Sequence, residues 1–277
     1  MERFRRGDLV FDVIDAGPAD GPVVVLLHGF PEQHVMWRPV IDRLTAQGYR
    51  CLAPLQRGYS PGARPKRRRD YRMAELGLDI IRLIDVADVD RVHLVGHDWG
   101  AAVAWQIASQ FPERLLDLTA LSVPHPAAMM KAAVTGSQAL HSWYMLAFQV
   151  PFVPEWILRR ERVISGFVDS RSGTDVVRAE ADAMREPGML TGGVNWYRGL
   201  PFADRSHAAI KIAAPTMYVW SDGDGFIVER GARLCADYIA AEYRFEVLRD
   251  VSHWILDEAP DALTDLLLDW FARHPGA

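Results

Sequence analysis

Cysteine is scarce in this chain. The 277 residues contain only Cys51, in a strand-like segment, and Cys235, in a helical one. Two isolated thiols make neither a disulfide framework nor a metal box, so a reducing compartment fits best. Long apolar runs are missing too: none is long enough to span a bilayer. The basic start Met1-Glu2-Arg3-Phe4-Arg5-Arg6 leads directly into Gly7-Asp8, with no apolar stretch of signal-peptide length behind it. The expectation is a cytoplasmic protein with no membrane partner. Positive charge is not in excess, since the formal net charge is -5. The basic run Pro65-Lys66-Arg67-Arg68-Arg69 is too short to reverse that balance and reads as a solvated loop, so nucleic acid is not an expected partner. His93 and His97 are four apart but straddle a strand and its turn instead of sharing a helix face, so no metal is expected there. No internal repeat or low-complexity segment is present.

Hydrophobic residues make up 49% and charged residues 24%, close to ordinary globular values, so a packed core is well supplied. The length suits one α/β core carrying an insertion. Leu9 to Ile14 and Val23 to Leu27 read as strands, the second apolar throughout, as a strand buried on both faces should be. Strand and helix then alternate: a helix from Val35 to Gln47, a strand from Tyr49 to Pro54, a helix from Met73 to Val86, a strand from Val92 to Val95, a helix from Ala101 to Gln110 and a strand from Leu115 to Leu121. The pattern breaks after Val123-Pro124-His125-Pro126. Roughly 80 residues of helix and loop follow, rich in aromatics and without a convincing strand. Alternation resumes with strands at Thr216 to Trp220 and Phe245 to Leu248 and helices at Val228 to Tyr238 and Pro260 to Phe271. This predicts an α/β fold with a mostly parallel sheet, its core formed by residues 1–126 and 208–277 and interrupted by a helical lid over 127–207.

The run Leu94-Val95-Gly96-His97-Asp98-Trp99-Gly100-Ala101 places a carboxylate between small residues where a strand gives way to a helix. A sharp strand-to-helix elbow needs such small neighbours and thrusts its apical side chain outward. Read alone, the Asp could merely cap the helix. As a nucleophile it differs from serine: with a reference pKa of about 3.9 it is already ionised near neutral pH and can attack carbon without a base. Ser252-His253-Trp254, after the last strand, and Trp220-Ser221-Asp222-Gly223-Asp224, at the end of the preceding one, complete the chain order nucleophile, acid, histidine.

With His28-Gly29-Phe30-Pro31 after the buried strand, the chain resembles the α/β-hydrolase superfamily over nearly its whole length. Within it, the chain resembles the aspartate-nucleophile branch containing epoxide hydrolases and haloalkane dehalogenases. The resemblance implies an α/β-hydrolase fold, Asp98 as nucleophile, His253 as base, and backbone N–H groups of Phe30 and Trp99 as the oxyanion hole. Asp224 is the acid by the register of the family, with Asp222 as the competitor.

The leaving group separates the two chemistries. An epoxide oxygen departs as an alkoxide and wants a proton donor, whereas a halide is stable and needs only N–H donors. Ser142-Trp143-Tyr144-Met145 and Asn195-Trp196-Tyr197-Arg198 resemble the segments that carry the paired ring-opening tyrosines of epoxide hydrolases, which makes Tyr144 and Tyr197 the two phenols. Phe30 stands where many haloalkane dehalogenases carry a halide-binding Asn, and Trp99 and Ala102 stand where fluoroacetate dehalogenases carry arginines. The expected reaction is therefore conversion of a small-molecule epoxide and water to a vicinal diol through an ester on Asp98. Haloalkane dehalogenation is the alternative, and a non-catalytic ligand-binding protein of this fold the more distant one. No cofactor is required, because every step is a displacement or a proton transfer. Trp37, Trp143 and Phe148, with Phe30 and Trp99, suggest an apolar substrate pocket, and an aromatic lid can form the contacts of a homodimer.

Overall fold

Val23–Leu27 is buried at every position, and its side chains divide between the two cores of the molecule. Val23, Val25 and Leu27 join one cluster and Val24 and Leu26 the other, as the twofold alternation of a strand dictates. The computed structural model describes residues 1–160, 163, 182–204 and 210–276. Its eight strands are β1 (Arg3–Arg6), β2 (Leu9–Ala16), β3 (Val23–Leu27), β4 (Arg50–Pro54), β5 (Val92–His97), β6 (Leu115–Leu121), β7 (Thr216–Ser221) and β8 (Tyr243–Leu248). They form one sheet in the order β1-β2-β4-β3-β5-β6-β7-β8. β2 is antiparallel to both β1 and β4, and the remaining pairings are parallel. The mostly parallel sheet expected from the alternation is thus present. β1 has no counterpart in the sequence reading: three of its four residues are arginine, which suits an exposed sheet edge better than a core strand.

Helices α1 (Arg38–Ala46), α2 (Met73–Val86) and α3 (Trp99–Gln110) precede a helical stretch made of α4 (Pro126–Thr135), α5 (Gln138–His141), α6 (Trp143–Ala147), α7 (Val153–Leu158) and α8 (Met189–Gly199). The chain then adds α9 (Glu229–Leu234), α10 (Ile255–Glu258) and α11 (Pro260–Arg273). α2 and α3 pack with the first cluster through Leu76, Ile80, Val103 and Trp105; α1 and α11 pack with the second through Val40, Leu44, Leu267 and Trp270. The helix expected from Val35 begins as a separate 3-10 turn at His34–Trp37, and α1 follows with Pro39 in its first turn, where proline's missing N–H costs nothing. Among the described residues between β6 and β7 there is no strand. The lid boundary expected at 207/208 lies outside the described residues. No described helix is long and apolar enough to cross a membrane.

Trp37, expected to line the substrate pocket, lies elsewhere. It is fully buried in the second cluster, among Val40, Leu44 and Trp270, so it serves the core on the α1/α11 side of the sheet. Its place on the turn entering α1 directs it to that face.

Candidate active site

Asp98 stands between the end of β5 and the start of α3 with φ 52° and ψ −117°, a conformation that a non-glycine residue adopts only where its surroundings impose it. The turn is too tight for side chains beneath it. A Cβ on Gly96 would lie 2.3 Å from the Gly100 carbonyl oxygen, and one on Gly100 would lie 2.1 Å from that of Leu27. These two glycines therefore let the strand, the helix and the β3 end close on one another. The Asp98 side chain makes no capping bond to α3, which disposes of the helix-cap reading. It is instead 13% exposed, and its Oδ1 accepts a hydrogen bond from the Phe30 N–H at 2.9 Å. Among the described residues no matching bond runs from the Trp99 N–H to this carboxylate.

His253 brings its Nε2 to 3.5 Å from Asp98 Oδ2 and its Nδ1 to 2.8 Å from Asp224 Oδ2. Asp224 is fixed in turn by the N–H groups of Phe226 and Ile227, which donate to its Oδ1 at 2.8 and 2.9 Å. Asp222 faces away from this chain: its carboxylate accepts from the Asp250 N–H at 2.8 Å and from Arg249 at 3.2 Å. The choice between the two acids, open in the sequence, is thus decided by which side of the turn each occupies.

The charges are mutually dependent. Burial would push the Asp98 carboxyl up, but His253, His97 and the Phe30 N–H outweigh it and hold the pKa below the usual carboxylate value. Burial would likewise strip the proton from His253. The opposing charges and hydrogen bonds of Asp224 and Asp98 win, raising its pKa from 6.5 to about 10. The resting pair is therefore carboxylate and imidazolium at neutral pH.

Tyr144 and Tyr197 complete the cluster. Their rings meet edge to face with centroids 5.9 Å apart, and the Tyr197 ring stands edge to face with the Trp99 indole at 4.7 Å. Burial, reinforced by the Asp98 charge, raises both phenol pKa values well above the ordinary value, so both stay protonated donors throughout the neutral range. Phe148 is buried with its ring against Phe30, Tyr144 and Tyr197. Trp143, the other aromatic expected in the pocket, is 67% exposed and is corrected. Successive residues of a helix point about 100° apart, so with Tyr144 on the inner face of α6 and Phe148 at its C-terminal cap, Trp143 faces outward.

Three residues had no role in the sequence reading. Phe226 packs against both His253 and Tyr144, with centroids 4.9 and 5.8 Å away. Glu32, almost wholly buried, places a carboxylate oxygen 3.1 Å from His97 Nδ1, while His97 Nε2 donates to the carbonyl of His253 at 2.9 Å. The signal for Glu32 was a charged residue directly behind His28-Gly29-Phe30-Pro31; for His97, a histidine within the elbow. His93 is engaged elsewhere, 2.5 Å from Asp117. Among the described residues no group of three or more His, Cys, Asp or Glu could hold a metal ion.

A profile of the alpha/beta hydrolase fold family matches residues 22–260. The chain is 35% identical to the AB hydrolase superfamily protein YfhM of Bacillus subtilis over 96% of each chain. It is 31% identical to Epoxide hydrolase A of Mycobacterium tuberculosis, covering 93% of this chain and 92% of that one. The crystal structure of Epoxide Hydrolase A from Mycobacterium thermoresistibile superposes with a TM-score of 0.81 at 27% identity, over 98% of this chain and 97% of the other.

Proposed function

The chain belongs to the α/β-hydrolase fold family, in its epoxide hydrolase branch, and on that premise we propose that it opens a neutral epoxide to a vicinal diol through an ester on Asp98. The observation that carries this reading is the pair of phenols, Tyr144 and Tyr197, packed ring to ring at 5.9 Å beside the Asp98 charge. Haloalkane chemistry has no use for two donors of that pKa.

In the first step Asp98 Oδ2 bonds to a ring carbon as the C–O bond breaks, and a phenol gives its proton to the leaving oxygen. Esterification neutralises Asp98. One of the two carboxylates that hold the His253 proton is thereby lost, so the imidazolium passes its proton to the phenolate and becomes a neutral base. His253 next takes a proton from water, and the hydroxide bonds to Cγ of Asp98. The tetrahedral oxyanion rests on the Phe30 N–H, with the Trp99 N–H as second donor once the centre has changed shape. Collapse breaks the bond between Cγ and the diol oxygen. That oxygen takes the proton of the new carboxylic acid, which restores carboxylate and imidazolium. Asp224 holds the imidazole orientation throughout.

The helices between β6 and β7 act in this reading as the lid over 127–207 that places the phenols over the sheet, with Phe148 and Phe30 forming the apolar wall. The substrate is a small molecule and the co-substrate water, with no organic cofactor in any step.

The test is a panel of styrene oxide-like, aliphatic and trans-disubstituted epoxides, run beside haloalkanes, with one turnover performed in heavy-oxygen water. Diol that carries no label after the first turnover, with label found in Asp98, is the expected result. Label in that first diol means direct attack by water, and halide release without diol formation points to the dehalogenase.

A further inference from the structure

A cavity of about 470 Å³ lies away from Asp98, between the segment carrying Lys66 and Arg68, α7, and the face of α8 that carries Thr191, Asn195 and Arg198. Its volume is that of pockets that hold small organic ligands. The cavity divides chemically. At its base Arg198 is saturated: two nitrogens donate to the Glu155 carboxylate at 2.6 and 2.9 Å, and the same guanidinium donates to the carbonyls of Phe148 and Val150. That ion pair is neutral and has no capacity left for a ligand. Lys66, Arg68 and Arg159 are different. Among the described residues, none of the three has an ion-pair partner, and Arg68 makes only a long bond, 3.5 Å, to the Gln149 carbonyl. Arg159 also shares the field of Glu155, yet with Lys66, Arg68, Arg159 and Arg198 against the single carboxylate of Glu155 the cleft lining is strongly positive in a chain whose formal charge is -5. The same cleft is lined by two large apolar side chains left open to water: Phe152 is 83% exposed and Trp156 62%. Arg160 lies over the Trp156 ring at 3.8 Å, adding a further positive charge beside that ring.

We propose that this cleft binds a single-chain anionic amphiphile, its headgroup held by Lys66, Arg68 and Arg159 and its apolar chain laid along Phe152 and Trp156. A simple inorganic anion would leave the aromatic side chains in water. A neutral apolar molecule would leave the excess positive charge of the cleft without a partner. Only a ligand with both properties uses the whole surface.

The test is titration calorimetry of the full chain with sodium decanoate below its micelle concentration, with 1-decanol as the neutral counterpart and phosphatidylglycerol vesicles as a third arm. Decanoate is expected to bind saturably and more weakly at high salt, and decanol at least ten-fold more weakly. The combined Arg68→Ala and Arg159→Ala variant is expected to lose at least ten-fold in decanoate affinity at unchanged melting temperature. Lys66→Ala serves as the second variant if that melting temperature falls. Trp156→Phe should remove the fluorescence change that accompanies binding. Equal affinity for decanoate and decanol, or full affinity in the arginine variant, overturns the proposal. Attachment to vesicles with no binding of monomeric decanoate also overturns it, and identifies a lipid surface as the partner instead.

Discussion

Oδ1 of Asp98 rests on the Phe30 N–H at 2.9 Å, which leaves Oδ2, 3.5 Å from His253 Nε2, as the oxygen without an amide donor. The two oxygens of one carboxylate are therefore not equivalent. On the proposed mechanism Oδ2 becomes the ester oxygen, while Oδ1 is already in the place where an oxyanion would be stabilised. No reorganisation of the donor is needed between the two half-reactions.

Removing the base should separate those halves. His253→Gln is expected to form the ester and hydrolyse it slowly, so intact-mass spectrometry after incubation with a turned-over epoxide should show a protein heavier by one substrate. An unmodified mass under these conditions would remove the covalent role of Asp98.

The phenols share one job, and their loss should be unequal to a simple sum. Tyr144→Phe or Tyr197→Phe alone is expected to slow ring opening by about 10²-fold, within the range of a single proton donor, and the double variant by more than about 10³-fold. Pre-steady-state tryptophan fluorescence can follow ring opening, and unchanged rates in the double variant would exclude both residues.

On the proposed mechanism alkylation creates the base by cancelling the Asp98 charge, and Asp98→Asn mimics that cancellation. The His253 pKa, about 10 in the intact site, should fall in this variant, as read by NMR titration of the ring. A linked consequence concerns stability. Because the folded pKa is raised above 6.5, the contribution of His253 is full below about pH 6.5 and is lost as pH rises towards 10. Denaturant midpoints across that window should decline in the wild type and decline less in His253→Gln.

Arg198 and Glu155 are both buried, with side chains 4% and 10% exposed. Arg198→Ala leaves the Glu155 charge without its partner and is expected to cost about 3–5 kcal/mol in denaturant unfolding. Replacing both, as Arg198→Met with Glu155→Leu, should recover much of it. Equal losses in the single and double variants would show that the carbonyl bonds to Phe148 and Val150 carry the stability instead.

Local pattern made much of the scaffold legible. Val23–Leu27, Leu115–Leu121 and Met73–Val86 end at the residues where their apolar periodicity ends, because continuous burial and a 3.6-residue stripe are properties of the segment itself. The elbow was legible for the same reason: its small residues and its charge are contiguous. The edge strand Arg3–Arg6 was not, since a strand exposed on one side and paired on the other leaves no apolar signature.

Sequence alone determined the alternation of strands and helices, the elbow at Asp98 and the chain order in which Asp224 and His253 follow it. Only the tertiary structure decided that Asp224 and not Asp222 meets His253, that Phe148 turns inward while Trp143 and Trp37 leave the site, and that Glu32, His97 and Phe226 belong to its surroundings. The reason is physical. Periodicity records whether a side chain is buried, but not which partner it is buried against. That second fact depends on where segments far apart in the chain are brought together, as His97 is with the carbonyl of His253.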